Sequence, residues 1–404
     1  MHVVVFLFGV SFLSAVLLDA FQTIILPRRP VVRFRLTRLF FIATWQPWTL
    51  LVRLAPSRKL REQLYSIYGP LSLLVLFGVW AFGLLSSFAL IYFSLHLPFR
   101  DPAHPVTTFA HLRSSFYVSG STLFTLGLGD VVPITPLARF LTIAEAGTGL
   151  GFVALVIGYV PVLYTAFSAR EIAVALLDAR AGSPPTAAEL LLRHHFDGGS
   201  QALTELLAEW ERWCAAMLET HISYPILCYY RSQHDNQSWL AALTTVLDAC
   251  SLIITTLDAP AIRQAQLTFA IGRHVLVDLG HVFHREALEA RLRDAPPTRL
   301  SDEEFARLCE ALQAAGLSLC SDLHMRDRLL SMRRLYEPHA CSMALFLHLD
   351  LPLWVPPPPN TARPDLWTSV ANLRSPAALA ATPPTHVSPQ ATASLLGGDD
   401  DLHT

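Results

Sequence analysis

Thr125-Leu126-Gly127-Leu128-Gly129-Asp130 separates two long apolar segments, residues 71–97 and 137–167. Glycine at alternate positions lets the backbone take left-handed turns at little cost, so the run can turn successive carbonyl oxygens toward one side. Residues 109–124, immediately before it, read as a helix too short to cross a bilayer, and Val131-Val132-Pro133 follows it. This is the order of a re-entrant loop, because non-helical backbone at membrane depth is tolerated only where it is buried in protein or lines water. The C-terminal end of the short helix would point the negative end of its dipole into the loop, which favours a cation there.

The rest of the chain agrees with a membrane setting. Of the 404 residues, 52% are hydrophobic and only 15% charged, and the mean hydropathy of +0.40 is high for a soluble protein. Three segments, residues 3–26, 71–97 and 137–167, exceed the roughly 20 residues a bilayer core requires. The first reads as a retained anchor, since no Lys or Arg precedes its apolar run and no small-x-small cleavage site follows. Asp19 inside it either reaches water near the end of the span or faces other protein. Between the first two spans stand Arg28, Arg29, Arg33, Arg35, Arg38, Arg53, Arg58, Lys59 and Arg61, against Arg100 and Arg113 in the later loop. Basic short loops stay inside, which predicts a cell-membrane protein with three spans, its N-terminus outside, the glycine-rich loop open to the outer face and everything after about Arg170 cytoplasmic. Residues 39–54, with Trp45, Trp48 and an interrupting Pro47, suit an interfacial helix on the inner leaflet.

Ser121-Thr122-Leu123-Phe124-Thr125-Leu126-Gly127-Leu128-Gly129-Asp130, with Pro133, resembles the signature of the potassium-channel pore domain, specifically the two-transmembrane-helix ion-channel family of prokaryotic type, over about residues 68–170. The resemblance implies an all-α membrane protein with an outer helix, a pore loop and an inner helix, here extended by one N-terminal transmembrane helix and a cytoplasmic helical bundle. It implies that the carbonyls of Thr125, Leu126, Gly127 and Leu128 line a selectivity filter for K+, with the Thr125 hydroxyl at its inner end and Gly129 and Asp130 at its outer mouth. One loop supplies a quarter of such a ring, so the chain is expected to form a homotetramer. The family's commonest filter has tyrosine where this chain has Leu128, and leucine cannot make the hydroxyl bond that ties the filter to its surroundings. Some second pore loops of two-pore-domain potassium channels also look like Gly-Leu-Gly-Asp.

Arg139 stands where the family often has an arginine, and Gly149 where it often places a gating glycine. Mid-helix glycine costs about 1 kcal/mol against alanine, so Gly147, Gly149 and Gly151 serve either hinge bending or close helix packing. Pro161 removes a helix hydrogen bond and is expected to kink the inner helix. Glu145 is the only carboxylate of the third span. It is a candidate for pore electrostatics if it faces the cavity, or for a structural bond to the short helix if it sits behind the filter.

From residue 171 to about 349 the apolar spacing predicts roughly five to eight helices, broken at Ser183-Pro184-Pro185, Asp197-Gly198-Gly199 and Pro296-Pro297. Ser301 with Glu304 reads as a capping box, and residues 170–180 as a continuation of the inner helix. His274, Asp278 and His281 share a helical face with His284 close by, a spacing that could suit a metal; a lone helix face is weak evidence for one, packed or surface histidines account for it better, and no metal is assigned. The six cysteines, Cys214, Cys228, Cys250, Cys309, Cys320 and Cys341, form no CxxC pair and read as reduced thiols. Residues 351–404, with Pro356-Pro357-Pro358-Pro359 and Asp399-Asp400-Asp401, read as a disordered tail. The chain thus divides into 1–27 (transmembrane helix), 28–66 (basic linker), 67–170 (pore domain), 171–350 (helical domain) and 351–404 (tail).

No span carries arginines at every third residue, as voltage sensing needs. Gly147-Thr148-Gly149-Leu150-Gly151 lacks nucleotide-loop spacing, and no nucleophile, base or phosphate-loop constellation suggests an enzyme. The expectation is a K+-selective channel in the lipid bilayer, gated at its inner helix by an unknown ligand or partner of the cytoplasmic domain, with no cofactor besides the permeant ion and no nucleic-acid partner. A non-selective cation channel, or a membrane-anchored sensor or scaffold whose pore module only assembles the tetramer, are the competing readings.

Overall fold

Three helices follow from the apolar segments and their caps. α1 spans His2–Ile24. α3 spans Arg58–Ser94, starting where the Ser57 side chain accepts from Leu60 N at 3.2 Å, the usual way to satisfy a free amide of a first turn. α5 spans Pro136–Ala181 behind an N-capping Thr135 and a proline in its first turn, where a missing N–H costs nothing. Between α1 and α3 lies α2, Leu36–Arg53, and between α3 and α5 lies the short α4, Thr108–Leu123. A two-residue strand β1, Phe99–Arg100, pairs antiparallel with β2, Val132–Pro133, tying the end of α3 to the segment after the glycine-rich loop. The computed structural model describes residues 2–26, 35–100, 108–233, 237–257, 260–294, 299–319 and 324–356. Arg28, Arg29, Arg33, the Pro296-Pro297 break, Cys320 and the tail from Pro357 onward lie outside the described residues.

α1 packs on α3 through small residues. A Cβ on Gly83 would stand 2.9 Å from a Val16 methyl, and one on Gly9 would meet Ile91 at 3.2 Å, so both glycines permit close approach of the helices. Asp19, left open between water and protein in the sequence, is buried here. Its Oδ2 accepts from Thr37 N at 3.0 Å, Thr37 Oγ1 at 2.6 Å and Trp80 Nε1 at 2.9 Å, joining α1, α2 and α3 through one carboxylate.

α2 corrects the interfacial reading in part. It runs unbroken through Pro47, and Trp45 is buried against Tyr68, with ring centroids 4.7 Å apart, while its Nε1 donates to Phe346 O at 3.2 Å. The ring seeks a hydrogen-bond partner as well as apolar cover and finds both in the helical domain. Away from Trp45, Leu39, Leu50 and Leu51 are exposed, as is Leu54 at the helix end.

The helical domain comprises, among the described residues, eight α-helices: α6 Ala187–Arg193, α7 Gly199–Ser223, α8 Trp239–Thr256, α9 Ile262–Val282, α10 Glu286–Asp294, α11 Asp302–Ala314, α12 Met325–Arg333 and α13 Glu337–Leu347, with a 3-10 turn at Pro225–Tyr229. α11 opens on the Ser301/Glu304 capping box. α8 is long and apolar enough to cross a membrane, yet the other helices bury it almost wholly. Its Asp248, fully buried, pairs with Arg299 at 2.7 Å and accepts a short bond from the Tyr336 hydroxyl; a buried charge persists only with such partners. The tail begins later than residue 351, because Trp354 is buried in the domain core and its carbonyl accepts from Ala188 N at 3.1 Å.

Candidate functional site

The glycine-rich loop begins at the C-terminus of α4. Thr125, Gly127 and Gly129 have φ of 56°, 57° and 78°, so every second residue is left-handed. Glycine takes that conformation freely; a β-branched threonine there is strained and must be held by its surroundings. The hold comes from α4. Leu126 N donates to Ser121 O at 2.8 Å, with longer contacts from Gly127 N to the same oxygen at 3.4 Å and from Leu128 N to Ser121 Oγ at 3.5 Å. In a planar trans peptide the N–H and C=O point oppositely. Amides turned back on α4 therefore send the carbonyls of Thr125, Leu126 and Gly127 away from it, onto a face this chain leaves uncovered.

Leu128 is exposed on that loop and, as the sequence implies, ties it to nothing through a side-chain hydroxyl. A different residue does so, since Tyr117 on α4 donates its hydroxyl to Asp130 Oδ2 at 2.7 Å. One turn of α4 thus braces the far end of the loop. No pattern in the sequence singled out Tyr117, whose role depends on how α4 is rotated.

Glu145 requires a correction to the pore-electrostatics reading. It is fully buried within the subunit, accepting from Tyr92 of α3 at 2.5 Å and paired closely with Ser119 of α4. It joins three helices behind the loop and lines no open face. Gly149 is likewise a packing position, for a Cβ there would stand 2.1 Å from Leu123 O and 2.9 Å from Leu123 C. Gly147 and Gly151 have nothing within 4 Å in the subunit. Gly149→Ala is therefore expected to push the end of α4 off α5 and cost about 3 kcal/mol, at the upper end for overpacking, while Gly151→Ala costs far less; thermal unfolding of the two purified variants side by side reads the difference. α5 continues through Pro161 without a break to Ala181.

At the other end of α5 is a group the sequence reading passed over. Arg170 is buried, with Nη1 donating to Leu227 O at 2.8 Å, Nη2 to Tyr230 O at 2.8 Å and Nε to Glu171 Oε1 at 2.8 Å. The guanidinium also lies 5.2 Å from the Phe167 ring centroid. Gly69 of α3 allows Tyr230 this position, since a Cβ would meet the Tyr230 ring at 2.7 Å. The 3-10 turn is thereby clamped to α5 by a fork that only arginine supplies. In sequence Arg170 marks merely the end of an apolar run, and its burial depends on residues fifty or more positions away.

His221 completes the clamp. Its Nε2 lies 3.2 Å from Arg170 Nη1; the guanidinium can only donate, so this imidazole nitrogen accepts and the ring is neutral. Burial first, then the Arg170 charge, hold His221 well below the usual histidine range. The unfolded chain binds this proton near pH 6.5 while the folded one does not, so stability is fully present above that value and falls as pH drops below it, by up to about 1.4 kcal/mol per unit. Thermal unfolding between pH 7.5 and 5 is expected to show that slope, and His221→Gln to flatten it.

His274 Nε2 lies 3.2 Å from Asp278 Oδ2, and His281 Nδ1 3.9 Å from Asp278 Oδ1. His284, beyond the helix end, has a φ of 52°. Among the described residues no group of three or more such side chains could hold a metal ion. Cys214, Cys228, Cys250, Cys309 and Cys341 are free thiols; burial pushes Cys228 up to about 12, which leaves it inert at neutral pH.

A pair of long apolar helices packed with a short helix and a glycine-rich loop defines an all-α membrane protein. Residues 74–165 match the family model described as an ion channel, and this segment is a pore-type domain of that ion-channel family. No curated protein and no solved structure matched the chain.

Proposed function

We propose that four copies of this chain assemble around the loop into a potassium-selective channel of the cell membrane. Residues 125–128 face their carbonyls to the axis as the filter, and Gly129 and Asp130 form its outer mouth. α1, α3 and α5 are the three spans, with the N-terminus outside and the helical domain in the cytoplasm. The observation that carries this reading is the alternation of left-handed residues at 125, 127 and 129, which with the amide bonds to Ser121 presents a row of carbonyls that can replace a cation's water. Leu126 and Leu128, 63% and 61% exposed in one subunit, and the open apolar face of α5 at Phe140, Ile143 and Leu150 supply the surface that neighbouring copies and lipid would cover. Asp130 at the mouth adds negative charge, favouring cations. The function is conduction and not catalysis, with gating at α5 through the Arg170 clamp.

Purified protein in planar bilayers under a K+/Na+ gradient tests it. Reversal near the K+ equilibrium potential supports the proposal. Reversal near zero with clear current makes the pore a non-selective cation channel, the outcome that the lack of a hydroxyl at Leu128 would favour. Absence of current from tetramers whose helical domain binds a partner would identify the sensor or scaffold instead.

A further inference from the structure

A cavity of about 490 Å³ lies where α1, α2, α3 and α5 meet the helical domain, a volume that encloses a small organic molecule. Among the described residues, six Phe, Tyr and Trp side chains line it: Phe41 and Trp45 of α2, Tyr159 of α5, Tyr229 of the 3-10 turn, Phe283 just beyond α9 and Phe346 of α13. The rings of Phe41 and Tyr229 lie parallel with centroids 5.4 Å apart, and Trp45 meets Tyr229 edge-on at 5.0 Å. Tyr159 and Tyr229 are buried, 4% and 6% exposed, yet among the described residues neither hydroxyl has a hydrogen-bond partner. Neither oxygen is sealed in by protein, so each opens onto the cavity that its residue lines. The charges at the rim are matched. Arg35 faces Asp19 at 3.7 Å and donates to Thr23 Oγ1 at 2.6 Å, Arg38 is already engaged, and His281 stands 3.9 Å from Asp278.

We infer that this cavity binds a neutral, planar aromatic molecule that carries oxygen, of the phenol or quinone class, its ring among the aromatic side chains and its oxygens at the Tyr159 and Tyr229 hydroxyls, and that its occupancy biases α5. Aromatic walls favour offset or edge-on contact with another ring. A buried tyrosine hydroxyl ordinarily finds a partner, and each of these two both donates and accepts, which suits a carbonyl or a phenol alike. A plain hydrocarbon would fill the space and leave both hydroxyls unpaired, at a cost in free energy. An anion meets only cations that already have partners, and a cation meets no Asp or Glu among the described residues of the wall. The bias follows from position. Tyr159 belongs to α5, whereas Tyr229 belongs to the turn whose Leu227 carbonyl accepts from Arg170, as does that of Tyr230 just beyond it. A molecule held by both hydroxyls bridges α5 and the turn clamped to it, and so favours one arrangement of the two over another.

The regulatory half rests on the channel reading; the binding half does not. The full chain in phosphatidylcholine nanodiscs, where lipid chains compete throughout, would be titrated by calorimetry with menadione, naphthalene and 1-naphthoate, with empty discs subtracted. Menadione, a neutral naphthoquinone, is expected to bind at least tenfold tighter than naphthalene, which has the rings without the oxygens, and tighter than the anionic naphthoate. Tyr159→Phe and Tyr229→Phe should each reduce the preference over naphthalene at least threefold. Ile42→Trp, at an exposed position on the rim, should weaken menadione at least tenfold with helicity unchanged by circular dichroism. Equal binding of naphthalene, tighter binding of the naphthoate, an undiminished preference in both tyrosine variants, or full binding by Ile42→Trp overturns the site. A decyl-tailed benzoquinone that binds tighter than its tail-less form makes the bilayer the source of the ligand, and equal binding of the two makes it the aqueous phase. In liposomes, menadione should change K+ flux at least threefold for the parent chain and not for Ile42→Trp. An equal response from both overturns the regulation, whereas binding without any flux preserves the site and removes the channel reading.

Discussion

Gly127→Ala and Gly129→Ala are each expected to abolish conduction while the protein stays folded and assembled. Both residues have positive φ, and neither faces an atom closer than 3.9 Å to an added Cβ, so the substitution is conformational within one chain and crowds nothing. Left-handed backbone costs a side-chain-bearing residue about 1–2 kcal/mol, which a folded chain tolerates. In the proposed tetramer, four loops around one ion path would multiply that to about 4–8 kcal/mol, and the strain would be relieved by rotation of the peptide planes, bringing amides where carbonyls should be. The comparison is K+ flux in liposomes alongside the oligomer's mass by light scattering. Flux at the parent level from either variant removes the filter assignment, and loss of the oligomer moves the effect to folding.

Arg170→Met should have the second largest effect, this time on stability and on the link between α5 and the helical domain. It leaves Tyr230 O, His221 Nε2 and the Glu171 carboxylate without this donor, and Leu227 O with Tyr230 N alone. Removing one member of such a buried charged set costs about 3–5 kcal/mol. Arg170→Lys keeps the charge and the stem but cannot fork, and is expected to fall between. Denaturant unfolding of all three proteins orders them; a value for Arg170→Met within about 0.5 kcal/mol of the parent, the range of an ordinary surface change, would mean the clamp is dispensable.

The long apolar helices and the glycine-rich loop between them were legible because a bilayer imposes length and hydropathy on any span, and because alternating glycines between two apolar segments are a local signal. The helical domain was legible as a class, through its apolar periodicity and the Ser301/Glu304 cap, and not as an arrangement. What escaped were side chains whose meaning lies in rotation and long-range contact. Glu145 could face either way until α4 and α3 were placed around it. Gly149 could bend or pack until Leu123 stood against it. Arg170, Tyr117 and Trp45 looked like an ordinary flank, an ordinary aromatic and an interfacial ring, since the partners that define them are thirteen to three hundred positions distant.

One helix, α5, is 46 residues long, or about 69 Å at 1.5 Å per residue. At Gly149 it packs so closely on Leu123 that the carbonyl oxygen would clash with even a methyl group, and it is held again at Arg170, about 32 Å further along. A rod held at those two points is a lever with its fulcrum beside the loop. A tilt of about 10° would sweep the Arg170 end by about 5.5 Å on that 32 Å arm, while backbone near the fulcrum hardly shifts. In the proposed channel such a lever would turn a large displacement of the helical domain into a small one beside the loop.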